Sequence, residues 1–201
     1  MSGAVINRYL TRAEEKTLLA RVGRDRDDLA QRDYYWMEAL RSSGLRINAF
    51  AQLSVGDAQQ ALAQRHLCPR PATQKRHKTQ QILVTQRLDR ALRGLLRIHK
   101  RMAGPLDPDA PLVLGRRGTR LTIRSYQLRM AYWCREAGLA VTASPHWWRH
   151  TVAVRLLETS TAQQPLLVVQ HALNHADLRS TAHYLKPTRE QIAHDMESAN
   201  R

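Results

Sequence analysis

A chain of 201 residues with 43% apolar content can build one good hydrophobic core, and is marginal for two, which excludes a disordered polymer. Thirty-two Lys and Arg against 17 Asp and Glu leave a net charge of +15, so nucleic acid is the default partner, bound through its phosphates. No apolar run approaches the roughly 20 residues of a membrane span, no secretory leader opens the chain, and Cys68 and Cys134 are too few and too distant for a disulfide framework or a zinc knuckle; the chain reads as cytoplasmic and nucleoid-associated.

Thr11 and Glu14 form a capping box ahead of Leu18, Leu19 and Val22, which predicts a first helix over about 12–22. Residues 26–43 read as a second helix, with Tyr35, Met37 and Leu40 on its apolar side and Ser43-Gly44 as its stop. A short helix after Arg46 buries Ile47, Phe50 and Leu53. The stretch 54–85 shows no helical period. Ile82 to Thr85 is short and β-branched and reads as a strand of a small antiparallel sheet, with Lys75–Lys78 at its turn.

Residues 86–102 form a basic amphipathic helix. Leu88, Leu92, Leu95, Leu96 and Met102 face inward, and Arg87, Arg90, Arg93, Arg97, Lys100 and Arg101 line the rest. Gly104-Pro105 breaks it. Leu112-Val113-Leu114 then leads to Arg116-Arg117-Gly118 and a helix over about 123–137. Ser144-Pro145 opens a helix to about 158, with Ser as N-cap and Pro at the first helical position. A buried helix over 165–173 follows, and a last helix starting near Ser180 or Thr181 carries Tyr184.

The chemistry gathers late in the chain. His146 and Arg149 lie three apart and share a helix face near an N-terminus, which favours anions. Leu173-Asn174-His175 puts a second imidazole in a turn, nine residues before Tyr184. Upstream, Gly44-Leu45-Arg46 supplies another guanidinium just past a helix stop, and Lys78 sits in the expected hairpin. Two arginines, a lysine, two histidines and a tyrosine suit the holding of one phosphodiester.

In this order the pattern resembles the tyrosine recombinases, the phage-integrase family, over nearly everything from Leu10 to about Thr188. The resemblance implies a mainly α catalytic-domain fold with a small antiparallel β-sheet (α+β), filling 1–201 as a single domain. Residues 1–9 would be a flexible N-terminus, and 188–201 a tail that packs on a neighbouring protomer. By the same resemblance Arg46 and Arg149 are the arginine pair, Lys78 the hairpin general acid, His146 and His175 the histidines, and Tyr184 the nucleophile. His150-Thr151 match the residues after the second arginine, and Asp57 an acidic residue ahead of the sheet. Lys75, Arg76, Arg116, Arg117, Arg120 and Arg124 are the further cations expected on DNA.

Three positions depart from the family pattern. Ala49 stands three residues after the first arginine, where Glu or Asp is usual. Leu-Gly-His has become Leu173-Asn174-His175, and Asn is the next-best residue for a left-handed helix end. Lys75 competes with Lys78 as the hairpin acid. Only ten residues precede Thr11, so the chain resembles the short recombinases that lack the N-terminal DNA-clamping domain, or else is a catalytic fragment.

The implied activity is cleavage and rejoining of DNA through a 3′-phosphotyrosyl link, for integration, inversion or resolution, with no cofactor. The implied partners are double-stranded DNA, three further copies of the chain in a tetramer, and an accessory DNA-bending protein, with no membrane. A weakened, non-catalytic DNA-binding relative with an architectural or regulatory role is the main rival, and Ala49 is its support. His146 with His150 and His171 with His175 have helical metal-pair spacing, but Trp147 stands where a zinc protease carries Glu.

Overall fold

The computed structural model describes residues 9–69 and 80–174, with Ser198. Two compact units divide the chain, Met1–Val152 and Ala153–Arg201. In the first, α1 (Arg12–Arg24), α2 (Asp28–Ser43), α3 (Ile47–Ala51) and α4 (Val55–Gln64) precede a two-stranded sheet of β1 (His66–Leu67) and β2 (Ile82–Leu83). Helices α5 (Gln86–Ala103) and α6 (Ile123–Glu136) follow, and the division falls within α7 (His146–Thr159). Helix α8 (Pro165–Ala172) belongs to the second unit.

Local sequence sets most helix ends. The Thr11–Glu14 capping box opens α1 in both directions, the Thr hydroxyl taking the Glu14 N–H and the carboxylate taking the Thr11 N–H. Gly44 ends α2 in the left-handed region at φ 61°, and its N–H donates to Leu40. Phe50 and Leu53 are buried as the sequence predicts, whereas Ile47 is only half-buried.

The stretch 54–85 differs from expectation, because α4 occupies its start. A second capping box, Ser54 with Asp57, opens that helix, and its buried side consists of Val55, Ala58 and Ala61. Alanines carry too little hydrophobicity to print a period in the sequence, so the cap was the readable signal. Asp57 serves as the capping carboxylate, accepting from the Ser54 N–H at 2.8 Å. Strand β2 pairs antiparallel with β1, His66 opposite Leu83 and Leu67 opposite Ile82. It is shorter than the 82–85 predicted, because Thr85 is taken as N-cap of α5.

Helix α2 is the centre of the first unit, packed most extensively on α5 and also on α1. Tyr126 of α6 meets Trp36 of α2 and Phe50 of α3 edge-on, with ring centroids 5.1 and 6.1 Å away. Each such pair adds about 0.5–1.5 kcal/mol beyond area burial. Helix α8 departs from the buried helix expected there: Val169 is fully buried, but Leu167 is 39% exposed. Eight residues turn one stripe inward, and Val169 with Leu173, four apart, form it. Cys68 is exposed and Cys134 buried, both free, and burial pushes the Cys134 thiol up. No helix of the described residues is long and apolar enough to cross a membrane.

Candidate active site

The arginine site starts at the end of α2. Gly44 adopts φ 61°, where a Cβ would be strained, and turns the chain sharply out of the helix. Leu45 then drops into the core at 2% exposure, and Arg46, half-buried, becomes the N-cap residue of α3 in extended conformation. An anchored residue on one side and a helix start on the other fix the backbone from which the Arg46 side chain departs.

Arg149 lies in the first turn of α7, whose entry is closed by the Trp147 N–H donating to the Ser144 oxygen. Trp148 is fully buried and anchors the first turn of α7 in the core of the first unit. Arg149 is itself 2% exposed, and its Nη1 donates to the Gly44 oxygen at 2.7 Å. The second arginine thus grips the turn that presents the first. A buried guanidinium must be hydrogen-bonded, and a main-chain oxygen past a helix end is a strong acceptor without a negative charge.

His146 opens α7 and is exposed; His150, one turn on, is half-buried. Their rings meet edge to face with centroids 4.6 Å apart. Thr151 donates to the Trp147 oxygen and accepts from the Leu10 N–H, both at 2.9 Å, so it ties the start of the described chain to α7. Among the described residues no group of three or more His, Cys, Asp and Glu stands together as a metal site.

Helix α8 ends at Asn174, which takes φ 48°, the left-handed end that its sequence predicts. His175 and Tyr184 lie outside the described residues, as do Lys75, Arg76 and Lys78. Position 49 is a buried methyl at 1% exposure, packed in the main core.

The remaining basic residues separate by environment. Arg116 and Arg117 are exposed on a tight turn closed by the Gly115 N–H on the Thr119 oxygen, with Gly118 at φ 73°. Arg124 is exposed in the first turn of α6, which has no acidic residue. Arg120 differs: half-buried, it donates to the Ala51 oxygen at 2.6 Å and the Leu53 oxygen at 3.4 Å, and so closes the end of α3. That geometry makes it a brace for the Arg46 segment.

Sequence reasoning missed the polar centre of this unit. Asp33 of α2, fully buried, accepts from Arg32, from the Trp36 indole at 3.0 Å, from the Trp133 indole at 2.8 Å and from Arg129. Arg32 in turn donates to the Leu114 oxygen at 2.9 Å. The only sequence signal is an acid three residues before Trp36 and an Arg four before Trp133, too common a spacing to stand out.

The model of the phage integrase family matches residues 8–191. Tyrosine recombinase XerC of Chromohalobacter salexigens is 35% identical over 196 residues, covering 96% of this chain and 62% of the relative. Tyrosine recombinase XerC of Neisseria meningitidis serogroup C is 34% identical over 167 residues, 83% of this chain and 51% of the relative. The chain thus spans about half to three-fifths of these relatives' length. Among solved structures, the XerA recombinase superposes with a TM-score of 0.73 at 20% identity, over 100% of this chain and 66% of that one. The Tn1549 transposon integrase in complex with circular intermediate DNA gives 0.74 at 20% identity, over 98% and 69%. These likenesses show the fold, mainly helical with a small antiparallel sheet. Matched over residues 8–191, the chain belongs to the phage integrase family.

Proposed function

We propose that the chain performs the chemistry of a site-specific DNA recombinase, cutting and rejoining duplex DNA through a 3′-phosphotyrosyl intermediate. The observation that carries this reading is the bond from Arg149 to the Gly44 turn, which couples the two arginine positions through the backbone. Two guanidiniums so placed neutralise the non-bridging oxygens of one phosphodiester and favour the phenolate of a nearby tyrosine.

The Tyr184 oxygen attacks phosphorus and forms a phosphotyrosyl bond to the 3′ side. The bond to the 5′-oxygen breaks, and Lys78 gives that oxygen its proton. His146 assists proton transfer and His175 hydrogen-bonds the phosphate. A 5′-hydroxyl from a partner duplex then attacks the link and releases Tyr184. One phosphoester replaces another, so no nucleotide is consumed, and the arginines supply the charge stabilisation that a metal would give. The chain works in the cytoplasm as a homotetramer on DNA, with an accessory DNA-bending protein.

Capture on a nicked substrate carrying the recombination site tests the reading. Wild-type protein is expected to become covalently attached in the presence of EDTA, while Tyr184→Phe binds without attachment. Binding with no capture by the wild type would replace this reading with that of a non-catalytic DNA-binding relative.

A further inference from the structure

Helices α2 and α5 leave a groove of about 520 Å³ between them, lined by Tyr34, Tyr35, Arg87, Arg90, Arg93 and Arg97 among others. Its one lining acid, Glu38, is already shared by Arg41 at 3.2 Å and Arg87 at 3.7 Å. Arg93 is paired with Asp89 at 2.7 Å. Among the described residues no carboxylate pairs with Arg90 or Arg97: Arg90 donates to its own helix at Gln86, and Arg97 to the Tyr35 hydroxyl at 2.6 Å. Two guanidiniums and their full charges therefore face the groove without an anion.

The aromatic wall is built at a cost to the helix. Gly94 sits mid-helix, where Gly is a poorer helix former than Ala. A Cβ there would stand 2.3 Å from the Tyr35 ring, so only glycine lets the ring lie on α5. Arg97 covers Tyr35, its guanidinium carbon 5.6 Å from the ring centroid, and Tyr34 meets Tyr35 edge-on at 5.2 Å.

We propose that this groove docks an acidic, amphipathic segment of a partner protein, with carboxylates on Arg90 and Arg97 and an apolar side chain against Tyr34. Charge complementarity selects the anion, and its form follows from the shape. A DNA duplex is too broad for a hollow between helices whose axes pack about 8–10 Å apart. A single strand needs free aromatic faces on which bases stack, and Tyr35 already lies between Gly94 and Arg97. Arginine and tyrosine together are the usual anchors of a protein interface, where lysine is depleted. An amphipathic helix laid in a groove is a common form of such an interface.

The test is fluorescence anisotropy on the full chain, with a labelled helical peptide carrying Glu on one face and Leu on the other. Arg90→Glu with Arg97→Glu is expected to weaken the peptide at least about tenfold. Lys16→Glu with Arg26→Glu, the same charge change on exposed residues outside the groove, is expected to stay within about twofold. The charge-neutral Tyr34→Ala should weaken the peptide several-fold, and circular dichroism checks the fold of each variant. No saturable binding to wild type, equal loss in both charge-reversed pairs, or full affinity in Tyr34→Ala overturns the proposal. Selective loss of a single-stranded oligothymidylate in the Arg90/Arg97 variant overturns it in favour of a nucleic-acid groove.

Discussion

Arg149 Nη1 and the main-chain oxygen of Gly44 stand 2.7 Å apart across 105 residues of sequence. The bond joins the helix that carries His146 to the turn that presents Arg46. A planar guanidinium offers a fixed, spread fork of donors to this oxygen and an anion at once, where an ammonium offers a single nitrogen. Arg149→Lys is therefore expected to lower single-turnover cleavage by about 10²–10³-fold, the scale of one lost transition-state donor. Duplex affinity, measured alongside, is expected to change only a few-fold. Full activity in the lysine variant would detach the Gly44 bond from the mechanism.

Position 49 is one of the three departures from the expected family pattern, and it is a packed methyl at 1% exposure. Ala49→Glu puts a carboxylate into the core beside the start of α3. The expected result is a loss of about 1–3 kcal/mol in urea unfolding, the scale for burying a polar group in a protein, with cleavage retained. A folded variant that has lost all cleavage would mean that the site is organised around Ala49.

Asp33, itself fully buried, accepts from two indoles, from the buried Arg32 and from the partly exposed Arg129. Asp33→Asn keeps the shape but removes the charge and turns one acceptor into a donor. Leaving the buried Arg32 cation unmatched costs about 3–5 kcal/mol, so the urea midpoint is expected to fall steeply. A change under about 1 kcal/mol would show that water or another group replaces the carboxylate.

Lys78 and Lys75 are separated by their chemistry. A 5′-bridging sulfur leaves without a proton, so a general-acid variant regains its rate on that substrate. Lys78→Ala is expected to cleave ordinary DNA poorly and the sulfur-substituted DNA well, while Lys75→Ala mainly binds more weakly. Rescue of Lys75→Ala instead would move the acid to that residue.

The exposed pair on the Gly115–Arg120 turn is read by salt. Each phosphate contact adds about 0.9 to the slope of log affinity against log salt on duplex DNA. Arg116→Ala with Arg117→Ala should lower that slope by about 1–2. Arg120→Ala, whose guanidinium closes α3, is expected to act on stability and cleavage more than on the slope. An unchanged slope in the double variant would take the turn off the DNA.

Local features were legible in the order of residues alone. The Thr11–Glu14 box, the Gly44 and Asn174 left-handed ends and the stripe of leucines on α5 depend on neighbours a few residues away, and each was readable. So was the family, because His146, Arg149, His175 and Tyr184 keep their order and spacing. The alanine-lined α4 was not, since a small side chain packs well without being strongly hydrophobic. Tertiary structure alone decided which charges are free to meet an anion. Arg120 and Arg124 lie four apart and look alike in sequence, yet one is spent on the carbonyls of Ala51 and Leu53 and the other is exposed. Asp33 and Arg149 became organising residues only when the fold brought Trp133 and Gly44 to them, from 100 and 105 residues away. A charge's role is set by its distance to partners and to water, and both are fixed by packing between elements far apart in the chain.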